Sequence, residues 1–141
     1  MVAFPAPGGP LLQPWRGVAE ALVEAAAEFE GVWWLRGSRM RTKAALMDEW
    51  AAVAQFPPHF GGTWDALRDA LADLPEGGTF LLLEADQLFQ DAPPEEIRTL
   101  VAVLQDVRED LAPMPFRIIL QAEAERFETL VEGLRALGTY P

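Results

Sequence analysis

Residues Thr79-Phe80-Leu81-Leu82-Leu83 form a continuous apolar run that follows the turn-forming tetrad Pro75-Glu76-Gly77-Gly78. Five such residues with no polar alternation read as a strand covered on both faces, the pattern of a parallel sheet held between helices. Working outward from it, two further runs have the same character. Val32-Trp33-Trp34-Leu35 lies between Gly31 and Gly37, and a third strand spans Phe116 to Leu120. Between them the apolar period changes from continuous to three and four, the spacing of amphipathic helices.

Four helices are expected around these strands, and a fifth before them. Thr42 caps a helix whose inward stripe is Leu46, Trp50 and Val53, stopped by Pro57-Pro58. Thr63 caps a short helix from Trp64 to about Leu74, with Trp64, Leu67, Leu71 and Leu74 on one side. Ile97, Leu100, Val101, Leu104, Val107 and Leu111 mark a long helix, and about Ala124 to Leu137 a last one burying Phe127, Leu130, Val131 and Leu134. Ahead of the first strand, Trp15, Val18, Ala19, Leu22, Ala26 and Phe29 keep helical spacing and predict a helix ending at Gly31. Residues 1–14, rich in proline and glycine, read as an irregular tail. The expectation is an α/β fold: a small three-stranded parallel sheet packed by helices, in a single domain over residues 15–141.

Bulk properties narrow the function. The 141 residues carry 22 acidic against 11 basic side chains, a formal charge of −11, so the summed field favours cationic partners and disfavours nucleic acid and anionic membrane. With no cysteine there is neither a disulfide framework nor a thiolate metal site, and a reducing cytoplasm suits the chain. The N-terminal residues show no secretory pattern, and no apolar run reaches the length of a membrane span. His59 is the lone histidine, which rules out a histidine pair for metal and leaves any base-activated nucleophile without an identifiable partner. Gly61-Gly62-Thr63 lacks the lysine and the glycine spacing of phosphate loops. No cofactor, no metal and no enzymatic activity are expected.

The short helix holds the informative chemistry. Asp65, Asp69 and Asp73 stand four residues apart and so line one exposed side. Like charges at that spacing disfavour the helix by a few tenths of a kcal/mol each, and Asp73 lies toward the end where the helix dipole is unfavourable to anions. Folding gains nothing from the row. A solvated acidic face and a binding face are both compatible with it.

The segment Phe56-Pro57-Pro58-His59-Phe60-Gly61-Gly62-Thr63-Trp64-Asp65-Ala66-Leu67 resembles the defining loop and helix of the barstar family, Phe-Pro-x-Tyr-Phe-Gly-x-Asn-Trp-Asp-Ala-Leu. The likeness extends over about residues 31–121, leaving the N-terminal and C-terminal helices as additions to a barstar-like sheet. It implies an intracellular inhibitor, with an immunity or antitoxin role, that places this loop and helix in the active site of a secreted basic ribonuclease or related toxin, carboxylates standing in for substrate phosphates. On that resemblance Asp69 is the principal interface acid, Asp65 a second and Asp106 a third; Asp73 continues the row. His59 and Phe60 take aromatic contact positions and Thr63 that of a contacting asparagine. Arg68 replaces an aromatic contact and is expected to turn a positive charge toward a positive partner. A monomer is favoured. The alternative is an acidic module of the same fold that binds another basic protein.

Three placements follow: Trp64, Leu67, Leu71 and Phe80 to Leu83 buried, the carboxylates of Asp65, Asp69 and Asp73 facing solvent, and Gly61 at a backbone position that a larger residue would strain.

Overall fold

The computed structural model describes residues 3–139. In chain order its elements are β1 (Leu12–Arg16), α1 (Ala19–Ala26), β2 (Val32–Arg36), α2 (Lys43–Ala54), α3 (Trp64–Ala72), β3 (Gly78–Leu83), α4 (Glu95–Leu111), β4 (Phe116–Ala122) and α5 (Ala124–Ala136). The sheet is parallel throughout, in the order β1-β4-β3-β2, with four strands where three were expected. The apolar runs of β3 and β4 are its two central strands, buried from Phe80 to Leu83 and from Phe116 to Ala122.

The additional strand arises inside the stretch read as an irregular tail and the start of a helix. Leu12 to Arg16 pair with Ile118 to Ala122, and Pro14 is tolerated because β1 is an edge strand, where a missing N–H need not break a ladder. Gly17, at φ +151°, turns the chain out of β1, and a Cβ there would meet the Trp15 ring at 2.8 Å. Trp15 therefore belongs to the strand. Helix α1 is confined to Ala19–Ala26, and Phe29 lies beyond it, half exposed and stacked on Phe4 at 4.9 Å.

β2 forms the other edge. Leu35 is fully buried and Trp33 stacks on Phe80 at 4.9 Å, but Trp34 is 45% exposed, so the run is covered on one face only. The strand alternation sorts the remaining side chains. Leu35, Phe80, Leu82, Phe116, Ile118 and Leu120 point to the face covered by α2, α3, α4 and α5, forming the main core. Leu81, Leu83 and Ile119 point to the opposite face and meet Leu22 and Ala26 of α1.

The helix caps match the sequence reading. The Thr42 side chain accepts a hydrogen bond from the Ala45 N–H at 3.2 Å, and Thr63 from Ala66 at 3.1 Å. α4 buries Leu100, Val101, Leu104, Val107 and Leu111. α5 buries Val131 and Leu134, whereas Phe127 and Leu130 reach only half burial because α5 lies at the outer end of the sheet against β1 and β4.

Candidate functional surface

α3 and α4 lie side by side over the sheet, and the row of aspartates sits on the outer side of α3. Leu67 and Leu71 are fully buried, which turns Asp65 and Asp69 outward by helical geometry. Asp73 caps the helix C-terminus instead of lying within it; its N–H donates to the Asp69 carbonyl at 3.1 Å and its side chain stays exposed. None of these three carboxylates makes an ion pair with a described residue.

Trp64 is half-buried, not enclosed as expected. Its ring meets Phe89 edge-on at 6.4 Å and carries the Lys43 ammonium 5.5 Å above it. This anchors the start of α3 while leaving part of the indole at the surface. Arg41, before α2, donates to the Asp91 carboxylate at 2.7 Å, a hydrogen bond that holds the Asp91 carboxyl below its ordinary range.

The loop before α3 places His59 in solvent and Phe60 half inside. The Phe60 N–H closes a turn on the Pro57 carbonyl at 2.9 Å, and its ring packs against Phe56 at 4.9 Å. The strained glycine is Gly62 and not Gly61. Gly62 has φ +67°, a left-handed backbone that immediately precedes the cap residue Thr63, whereas a Cβ on Gly61 would meet nothing within 4 Å. The turn needs its left-handed residue where the chain enters the helix, one position later than expected.

Arg68 does not project freely at a partner. Its Nε donates to Asp110 at 3.1 Å and its Nη1 lies 3.6 Å from Asp106, so the guanidinium leans across onto α4. The hydrogen bond to Asp110 raises its pKa above the ordinary arginine value, with the charges of Asp110, Asp106 and Asp69 adding in the same direction. Asp106, expected in the acidic interface, thus shares an arginine with Asp110. Sequence reasoning did not single out Asp110, although Asp106 and Asp110 stand four apart on α4, the same signal that marked the row on α3. Five carboxylates against one guanidinium leave this patch at a formal −4, its unpaired charge concentrated on Asp65, Asp69 and Asp73.

Among the described residues no group of three or more His, Asp or Glu is arranged to hold a metal, and no helix is long and apolar enough to cross a membrane.

The layered α/β domain thus displays an acidic row, without ion pairs among the described residues, beside a half-exposed aromatic loop. The model of the family described as Barstar (barnase inhibitor) matches residues 31–132, and the chain belongs to that family. The match covers β2 through most of α5 and leaves β1 and α1 outside it. No curated protein matches the chain. Among solved structures, it resembles a chain from the structure of Drosophila ORC bound to GC-rich DNA and Cdc6, at 12% identity and a TM-score of 0.50. That likeness covers 94% of this chain but 47% of the other, and concerns the fold alone.

Proposed function

We propose that the protein inhibits a basic ribonuclease, or a related toxin, by setting the loop and acidic face of α3 over its active site, with an immunity role in the cytoplasm. The observation that carries the reading is the exposed row Asp65, Asp69 and Asp73, unpaired within the family-matched segment. A ribonuclease must expose basic groups to bind RNA. Carboxylates on a rigid helix reach those groups first by long-range attraction and then by charge-assisted hydrogen bonds. His59, Phe60 and the exposed part of Trp64 border the row and supply contact area. Catalysis and cofactors have no part in this reading.

The pairing of Arg68 with α4 favours a second reading, an acidic module for some other basic protein, because it neutralises part of the charge that Asp106 and Asp110 would offer a partner. Titration against a panel of basic microbial ribonucleases, with nuclease activity as the readout, separates the two. Asp69→Ala is expected to weaken the inhibited complex by about 2 kcal/mol or more, the scale of charge-paired interface hot spots generally, this family's own inhibitor complex among them. The isolated fold should change by no more than about 0.5 kcal/mol, since the side chain is exposed and repelled by its neighbours. Tight inhibition that survives Asp69→Ala contradicts the mechanism, and binding to no member of the panel favours the second reading.

A further inference from the structure

In a chain with twice as many acidic as basic residues, one pocket is lined by two arginines and no acid. It lies between Gly8-Gly9 of the N-terminal lead-in, the last turn of α4 with Arg108, the connection Ala112–Pro115, and the first residues of β4 with Arg117; its volume is about 330 Å³. Arg117 is only 6% exposed, yet it makes no ion pair with a described residue. Its guanidinium donates to neutral oxygens alone: Thr79 Oγ1 at 3.0 Å, the Ala6 carbonyl at 2.6 Å, Gln13 Oε1 at 3.3 Å and the Pro5 carbonyl at 3.1 Å. Four of the five N–H groups of the side chain are used, and the charge, with no counter-ion among the described residues, lies over the Phe4 ring at 5.5 Å. Burial accordingly lowers its pKa. Arg108 donates once, to the Gly9 carbonyl at 2.6 Å, and makes no ion pair with a described residue.

We infer that this pocket binds a small organic anion, a single phosphate or carboxylate group carried on a compact apolar body. Arg108 supplies a positive charge and most of the unused donors, having only the Gly9 carbonyl as partner, while Arg117 adds a second positive charge and one remaining N–H. Pro113, Met114 and Pro115 supply an apolar wall, with Met114 37% exposed. Three opposing terms are weaker. The C-terminal end of α4 presents about half a negative charge, against two full positive ones. Asp106 and Asp110 are two positions to either side of Arg108 on α4 and so face the other way, toward Arg68. The overall charge of −11 acts over distances at which salt screens it, whereas the pocket acts by contact. A volume near 330 Å³ is at the small end of ligand pockets, which sets the size of the anion.

The site is separate from the acidic face of α3 and needs no ribonuclease for its test. Phenyl phosphate, inorganic phosphate and benzoate are titrated into the full chain at constant ionic strength, by calorimetry and by amide chemical shifts. Saturable binding in the millimolar range or tighter is expected, strongest for a ligand with both an oxyanion and a ring, with shifts centred on Gly8, Gly9 and Arg117. The relative strength of phenyl phosphate and benzoate tells a phosphate ligand from a carboxylate one. Arg108→Gln, at a half-exposed position, should leave the fold intact and weaken binding about ten-fold or more, the loss of a hydrogen bond to a charged group. Arg117→Met, checked for folding by its amide spectrum, should weaken it further if folded. Absence of saturation with all three ligands, or unchanged affinity in Arg108→Gln, overturns the proposal.

Discussion

The two faces of the sheet are built differently. One face is covered by α2, α3, α4 and α5, and its core is continuous from Leu35 through Phe80 and Leu82 to Ile118 and Leu120. The other is covered by the two turns of α1 and by the N-terminal lead-in, and among the described residues its buried apolar cluster is Leu22, Ala26, Leu81, Leu83 and Ile119. On this second face β4 also buries two polar side chains, Arg117 and Gln121, on either side of Ile119. The N-terminal segment holds both in part: Arg117 donates to the carbonyls of Pro5 and Ala6, and Gln121 to that of Gly17 at 2.7 Å. The first face rests on apolar area, which scales with contact and tolerates some misfit. The second rests on a few directional hydrogen bonds that tie β1 to the centre of the sheet. The first face lies mostly within the family match and carries the acidic row; the elements that cover the second lie outside it.

The largest test of this contrast is Phe80→Ala. Phe80 is fully buried, stacked on Trp33, tilted against Trp50 at 5.2 Å and edge-on to Phe116 at 6.2 Å. Removing the ring leaves a cavity bounded by three aromatic side chains, with an expected loss of about 3–5 kcal/mol in chemical denaturation. A loss below about 1 kcal/mol would mean that the neighbouring rings close the gap and that this core is less tightly set than its packing indicates.

A smaller effect is expected on the other face from Gln121→Leu. The substitution keeps apolar bulk but leaves the Glu84 N–H, now donating to Gln121 Oε1 at 2.8 Å, and the Gly17 carbonyl without their partner. Unsatisfied buried groups of this kind give an expected loss of about 2 kcal/mol. Hydrogen exchange should show faster exchange at Glu84 and along β1, with α3 and α4 unaffected. Uniform acceleration across the domain would contradict the view that Gln121 acts locally to hold the edge strand.

The same contrast explains which parts were legible in the sequence. β3, β4 and the helices of the first face announce themselves through unbroken apolar runs, helical periods and two threonine caps, because their stability comes from apolar area. β1 does not. Leu12-Gln13-Pro14-Trp15-Arg16 has no period, contains a proline, and gains its place by pairing with β4, a contact that no local pattern encodes. Trp15 and Phe29 fit a helical period by coincidence of spacing, one lying in a strand and the other stacked on Phe4. At the acidic face the row on α3 follows from its spacing alone. The turning of Arg68 onto Asp110 depends on α3 lying against α4, so it was not readable from either helix by itself. Gly62 was missed in favour of Gly61 because two adjacent glycines before a cap leave open which of them adopts the left-handed backbone.

The smallest expected effect has the opposite sign and concerns α5, whose last turn runs past the family match. Gly133 stands inside this helix, exposed, and a Cβ built on it would meet nothing within 4 Å. Its carbonyl accepts from the Leu137 N–H at 3.2 Å, a backbone bond that any residue can keep. Packing within the chain therefore gives no reason for a glycine here, while helix propensity disfavours it by roughly 0.8–1 kcal/mol relative to alanine. Gly133→Ala should stabilise the protein by about 0.5–1 kcal/mol, part of it through the reduced freedom of the unfolded chain. The gain should appear as a higher denaturation midpoint at unchanged slope. Because Leu134 next to it is buried in the main core, a firmer α5 should protect the first face and leave β1 and α1 exchanging as before. Destabilisation instead would show that α5 needs the flexibility of a glycine at this point, and the division between the two faces would then have to be redrawn to exclude α5 from the rigid one.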